Sequence, residues 1–214
     1  MTVKPIELLS KKLPEIINAS YAEMKANGDA GDADAKQRHA DLPNFPGAFR
    51  VLLEGKGGAD LYLVGENAAF RADTKPPAAP VRLAVAVSNE AFELGLEELE
   101  DEVTAGLAWL RKRLVRVSPK RFSALMDKLA NEKFAFHVVI KDTPDFEEVR
   151  VRIATGGAEP PAKPTFTVTI DYSTLEALRE RKLKPQALMS KLQLSGDSAR
   201  AMQFGMELMQ RRGS

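Results

Sequence analysis

The chain of 214 residues contains no cysteine. Disulfide scaffolds, thiolate nucleophiles and cysteine-based metal sites are therefore excluded, while the redox compartment stays open. Histidine is nearly absent: His39 and His137 are the only two, and neither stands in a metal-ligand or nucleophile spacing. An excess of one charge is missing too. The 31 basic and 30 acidic residues leave a formal net charge of +1, whereas a dedicated nucleic-acid binder carries a clear basic excess. No apolar run approaches the roughly 20 residues that span a bilayer. The N-terminal stretch holds Lys4, Pro5, Lys11, Lys12 and Pro14 and lacks the continuous apolar core of a secretory signal. Arg211-Arg212-Gly213-Ser214 is no peroxisomal address. A cytoplasmic protein is expected. Gly55-Lys56-Gly57-Gly58 leads into a strand rather than a helix, so it lacks the helix N-terminus that holds phosphate and reads as a turn.

What is present is the mixture of a folded protein, 44% hydrophobic and 29% charged, long enough for one large domain or two small ones. Ile6, Leu9, Leu13, Ile16, Ile17 and Met24 recur at helical spacing and predict a helix over 5–26, kinked or divided at Pro14. Residues 27–46 are rich in Gly, Asp, Ala, Asn and Pro and predict a mobile loop. Strands follow at 49–54, 59–64 and 83–87, then helical segments at 90–102 and 103–112, a short strand at 114–117, and a helix at 119–130. The order then recurs: strands at 134–140, 148–154 and 166–170, short helices at 174–181 and 185–190, a strand at 192–194, and a last helix at 198–212.

The recurrence extends to the residues. Pro76–Pro80 spell PPAAP and Pro160–Pro164 spell PPAKP, each ahead of an alternating strand and a helix. Leu83, Val85, Val87 and Phe92 match Phe166, Val168, Ile170 and Leu175 at one offset. A duplicated unit is the simplest reading, with halves at 1–118 and 119–214.

Chemistry-bearing residues are sparse. Arg111, Lys112 and Arg113 close the helix at 103–112 and complement its dipole; with Arg116, Lys120 and Arg121, beside Trp109, they could instead meet anionic lipid. In the last helix Ala199, Met202, Met206 and Met209 form one stripe and Ala201, Phe204 and Leu208 a second beside it. The apolar arc exceeds that of a surface helix, so two apolar neighbours are expected. Methionine, unbranched and polarizable, suits an irregular apolar one.

The stretch 164–209 carries a resemblance. An alternating strand is followed by a short helix, then Lys184-Pro185 opening a second helix. The run Lys191-Leu192-Gln193-Leu194-Ser195-Gly196-Asp197 and a closing amphipathic helix come last. This is similar to the sterol-carrier-protein-2 sterol-binding domain family, with Ser190 where the family usually has Gly. In the first half Val115 to Ser118 resemble Leu192 to Ser195 more faintly, with Pro119 and Lys120 in place of Gly196 and Asp197.

The resemblance implies an α+β fold: a mostly antiparallel sheet with helices on one face, in two similar halves, with the first half degenerate. It also implies non-catalytic binding and transfer of an apolar ligand (sterol, fatty acid or other lipid) in a hydrophobic tunnel, without a cofactor. The expected wall in the second half is Phe166, Val168, Ile170, Leu175, Leu178, Leu188, Met189, Leu192, Met202, Phe204, Met206 and Met209. Peripheral membrane contact and a homodimer are the further partners expected. The alternative is an interaction or accessory module with a filled core and no ligand.

Overall fold

Pro14 poses the first structural problem, because it has no N–H to donate and its ring crowds the preceding turn. The computed structural model describes residues 4–42, 48–98, 100–115, 119–133, 135–157, 159–160, 162–180, 182–183, 185–188 and 190–210. It resolves the problem without a break: α1 (Pro5–Glu7) passes through a π-helical turn, Leu8–Lys12, into α2 (Leu13–Asp29). The Leu13 N–H donates to Leu8 O, one residue wider than an α-helical bond. The expected kink is thus absorbed as a widened turn, which keeps Leu8 and Leu9 buried.

The loop expected over 27–46 is corrected in part. Ala33–Ala40 form a helix, α3, whose N-cap Asp32 accepts a 2.9 Å hydrogen bond from Ala35 N–H. A short polar helix with a good cap and a mean composition of loop residues is invisible to hydrophobic periodicity. Gly28 lets α2 and α3 approach, since a Cβ there would stand 2.8 Å from Lys36 Cα. Residues 43–47 lie outside the described residues.

The strands are β1 (Ala48–Glu54), β2 (Ala59–Glu66), β3 (Ala69–Asp73), β4 (Val81–Ser88), β5 (Ala135–Lys141), β6 (Glu148–Thr155), β7 (Phe166–Asp171) and β8 (Gln193–Gly196). The strand β3 is not expected from the sequence. Its turn, Asn67-Ala68, has φ of 53° and 57°, the left-handed geometry of a tight hairpin, made with alanine where glycine would have signalled it. The remaining helices are α4 (Asn89–Glu98), α5 (Glu100–Leu114), α6 (Pro119–Glu132), α7 (Tyr172–Arg179), α8 (Pro185–Leu188) and α9 (Ser198–Gln210). The strand expected at 114–117 is corrected at its start, where Leu114 ends α5, and 116–118 lie outside the described residues.

All eight strands form one sheet in the order β3-β2-β1-β4-β6-β5-β7-β8. Pairing is antiparallel except for β1 with β4 and β5 with β7. The fold is therefore α+β with a mostly antiparallel sheet, as expected. Its register repeats: Phe49 sits opposite Leu63 and Leu83, and Phe136 sits opposite Ile153 and Phe166. The sequence β2-β1-β4 recurs as β6-β5-β7 with the same directions. Beyond β4 stands antiparallel β6, and beyond β7 stands antiparallel β8, with Val85–Ile153 and Val168–Leu194 as corresponding pairs.

Alternation gives each strand one set of side chains on the face where the helices pack, while Ala48, Tyr62 and Val64 form a smaller apolar cluster on the other. Leu9 and Ile17 join Leu53, Leu61, Leu63, Phe70 and Val87 in one cluster. Met126 of α6 and Ala201 of α9 join Phe166 in another, with Phe49, Leu83, Phe136 and Phe204 against it. An extra residue in β4 at Arg82 shifts the β1–β4 register and sends the guanidinium to Ser123 (3.1 Å) and Asp127 (2.5 Å) of α6. The opposite face carries ion pairs: Arg50 with Asp60 (2.7 Å) and Glu159 (3.2 Å), and Arg152 with Glu54. His137 lies on that face, yet it is only 2% exposed, because β5 is a central strand and His137 sits between Arg152 and Thr167.

Candidate functional site

Four elements line an open apolar pocket on the helical face of the sheet. Ile140 and Val149, opposite one another on β5 and β6, line it from the sheet side. The β5–β6 turn lines a second side. Asp142 has φ of 56° and donates its N–H to Glu147 O at 3.1 Å. The Thr143 hydroxyl donates to Phe146 O at 2.6 Å and accepts from Phe146 N–H at 3.1 Å. These bonds fix Pro144 and Phe146 over the cavity. β7 runs straight into α7, whose Tyr172, Leu175, Glu176 and Arg179 recur at i, i+3, i+4 and i+7 and so share one face. From the first half of the chain, α4 contributes Ala91, Leu94 and Gly95 at the same spacing. The space holds about 330 Å³, within the range of small-molecule sites, roughly 300–1,000 Å³. A Cβ on Gly95 would meet nothing within 4 Å, so the glycine leaves room that a larger residue would occupy.

The residues named from the sequence divide into groups. Leu175 lines the pocket. Ile170 is buried on β7 opposite Ile140, and Leu178 is half-buried on α7 without lining the pocket. Phe166, Val168 and Phe204 meet in the second core cluster. There the Phe136 and Phe166 rings stack with centroids 5.2 Å apart, and Phe204 lies 5.4 Å from Phe136. Leu188 and Leu192 are half-buried in α8 and just before β8. Met202 and Met206 are 52% and 51% exposed on the outer side of α9. Met189 lies outside the described residues, as does the side chain of Met209.

Sequence reasoning did not name Ala91, Leu94, Gly95, Ile140, Phe146 or Val149. The one local sign is Phe146, an aromatic inside an otherwise polar turn. The rest become a site only because α4 and α7, some 80 residues apart, come to the same end of the sheet.

Trp109 is 62% exposed on α5, with exposed Lys112 three residues on. Among the described residues no helix is long and apolar enough to cross a membrane. The model of the SCP-2 sterol transfer family matches residues 109–209, from within α5 to the end of α9. No curated protein matches the chain.

Proposed function

We propose, because residues 109–209 belong to the SCP-2 sterol transfer family, that the protein binds and transfers a lipid without a catalytic step. The observation that carries the reading is the open apolar pocket between α4, α7 and the β5–β6 hairpin. Its driving force is desolvation, about 25 cal/mol per Å² of apolar surface removed from water. The matched registers around Phe49 and Phe136 support a tandem origin for the two halves, 1–118 and 119–214, with the first half degenerate.

Gly95→Leu tests the pocket. A leucine at this position projects into the cavity and removes a helix-interior glycine. Stability should rise by about 0.5–1 kcal/mol, while binding of a fluorescent apolar probe should fall at least several-fold. Unchanged probe binding in that variant would remove the pocket from the site. Met202→Lys supplies the contrast. If Met202 forms the wall, as the sequence suggested, the lysine should abolish binding through an unpaired buried ammonium. With the site at α4 and α7 it should leave binding intact, because its position faces solvent.

The alternative, an interaction module with a filled core, draws on the aromatic packing of Phe136, Phe166 and Phe204. It predicts no binding of any lipid class. Membrane exchange at α5 is supported by exposed Trp109 beside Lys112, since indole rings favour the membrane–water interface and bases favour anionic lipid. Trp109 is the single tryptophan, so its emission should shift to the blue when anionic vesicles are added. A homodimer would use the exposed Met202 and Met206.

A further inference from the structure

The wall of the open pocket is built twice, and only one copy is open. Ile140 on β5 pairs with Val149 on β6 and with Ile170 on β7, and Leu175 follows five residues after Ile170. Leu53 on β1 pairs with Ala59 on β2 and with Val87 on β4 in the same strand directions, and Phe92 follows five residues after Val87. Ile140, Val149 and Leu175 line the cavity. Their counterparts Leu53, Ala59 and Phe92 belong instead to a filled cluster that also holds Leu9 and Leu13. Leu53 is accordingly 2% exposed, whereas Ile140 is half-buried.

What fills the first copy is the segment Pro5–Leu13. Its π-helical turn lies against β2 and β3, and α1 lies against α4. Pro5, Leu8 and Leu9 are buried, while Ile6, Glu7, Ser10 and Lys11 are exposed, so one side of the segment faces the sheet and the other faces water. The widened turn from Leu8 to Leu13 falls within it, and such turns recur at functional sites. A segment of so few turns, solvated along one side, is of the kind that opens locally while the strands beneath stay paired. We infer that residues 5–13 act as a built-in guest: they cover a second apolar site, which admits an uncharged apolar molecule once the segment is displaced. The class of guest rests on the lipid-binding reading above; the covered site itself does not.

The test titrates N-phenyl-1-naphthylamine, an uncharged apolar probe, into the full-length protein and its variants, with circular dichroism and urea unfolding as folding controls. Gly95→Leu fills the open pocket and should lower probe binding several-fold. Adding Leu9→Ala to that variant should restore it. The truncation alone leaves a hole of only a few methylenes, too small for the fused rings, so a bound probe means that the segment has moved. Leu13→Ala, half-buried in the same segment, is the milder variant if Leu9→Ala does not fold, and should restore binding in part. Leu63→Ala is the control, because it shares the cluster and pairs with Phe49, away from Leu53. Equal restoration by Leu63→Ala would mean a generally loosened core and would overturn the inference. So would a folded Leu9→Ala or Leu13→Ala variant that restores nothing, while binding by the parent would keep the open pocket in place. A parent that binds no probe, beside a Leu9→Ala variant that does, would overturn the open pocket and keep the covered site. Absence of binding in both would overturn both.

Discussion

The Tyr21 ring packs against the cluster of Leu9, Ile17 and Leu53, and burial pushes its hydroxyl from 10 up to about 12. The folded state therefore holds this proton more tightly than the unfolded chain. Below pH 10 both states are protonated and the contribution of the buried phenol is complete; between pH 10 and about 12 only the unfolded state ionises and stability falls. Tyr21→Phe should remove that part of the alkaline loss and change little at neutral pH. Urea denaturation of both proteins at pH 8 and across the alkaline range checks it, and identical alkaline slopes would refute the assignment. Asp197 gives a second case. Its Oδ1 accepts the Arg200 N–H at 2.9 Å at the start of α9, so Asp197→Ala should cost about 1 kcal/mol, read as a lowered denaturation midpoint. Gly-Asp-Ser ahead of an apolar stripe is local information that marks a helix start and offers either Asp197 or Ser198 as its cap; the structure selects Asp197. The burial of His137 was not legible in this way, since it depends on which strands flank β5.

Among the elements, glycine marks where one must touch another. Gly156 ends β6 with φ of +65°, and a Cβ there would stand 1.9 Å from Ala130 O in α6; its N–H donates to Arg82 O on β4 at 3.0 Å. Gly156→Ala combines a strained backbone with a backbone clash and should cost about 2–5 kcal/mol. Gly157→Ala, where a Cβ meets nothing within 4 Å, is the control and should be nearly neutral. Chemical denaturation of the pair separates a specific contact from a general need for glycine in the turn. The alternating strands and the amphipathic α6 and α9 were legible because a period of 2 or 3.6 needs no knowledge of the partner. What escaped was set by turns and caps: β3 behind a glycine-free hairpin, α3 behind a polar cap, and the π turn that accommodates Pro14. The site escaped for a related reason. The wide apolar arc of α9 points to two neighbours, but Met202 and Met206 face outward, while the shorter apolar faces of α4 and α7 line one cavity.

At the scale of the molecule, neither half owns a complete sheet. The β4 edge of the first half is covered by β6, and the β6 edge of the second by β4, through Leu83–Thr155 to Ala86–Arg152. The helix α6 packs on both of these strands. A fragment of 119–214 would expose the β6 edge, which then invites pairing with another chain. It should fail to give a monodisperse monomer with cooperative unfolding, as size-exclusion chromatography and thermal circular dichroism would reveal. A well-behaved monomer would show that the second half closes its sheet unaided.

The pocket spans this same join, with Ala91, Leu94 and Gly95 on one side and Ile140, Val149 and Leu175 on the other. A guest held there touches both halves at once. By mass action, occupancy adds RT ln(1 + [L]/Kd) to the native state, and here that increment falls on the junction rather than evenly over the fold. Amide hydrogen exchange along β4 and β6 should therefore slow on loading more than exchange in the outer strands β2 and β3. If the pocket holds a lipid as proposed, the loaded protein is sealed at this join and the empty one loosened there, so release of the guest relaxes the join that held it.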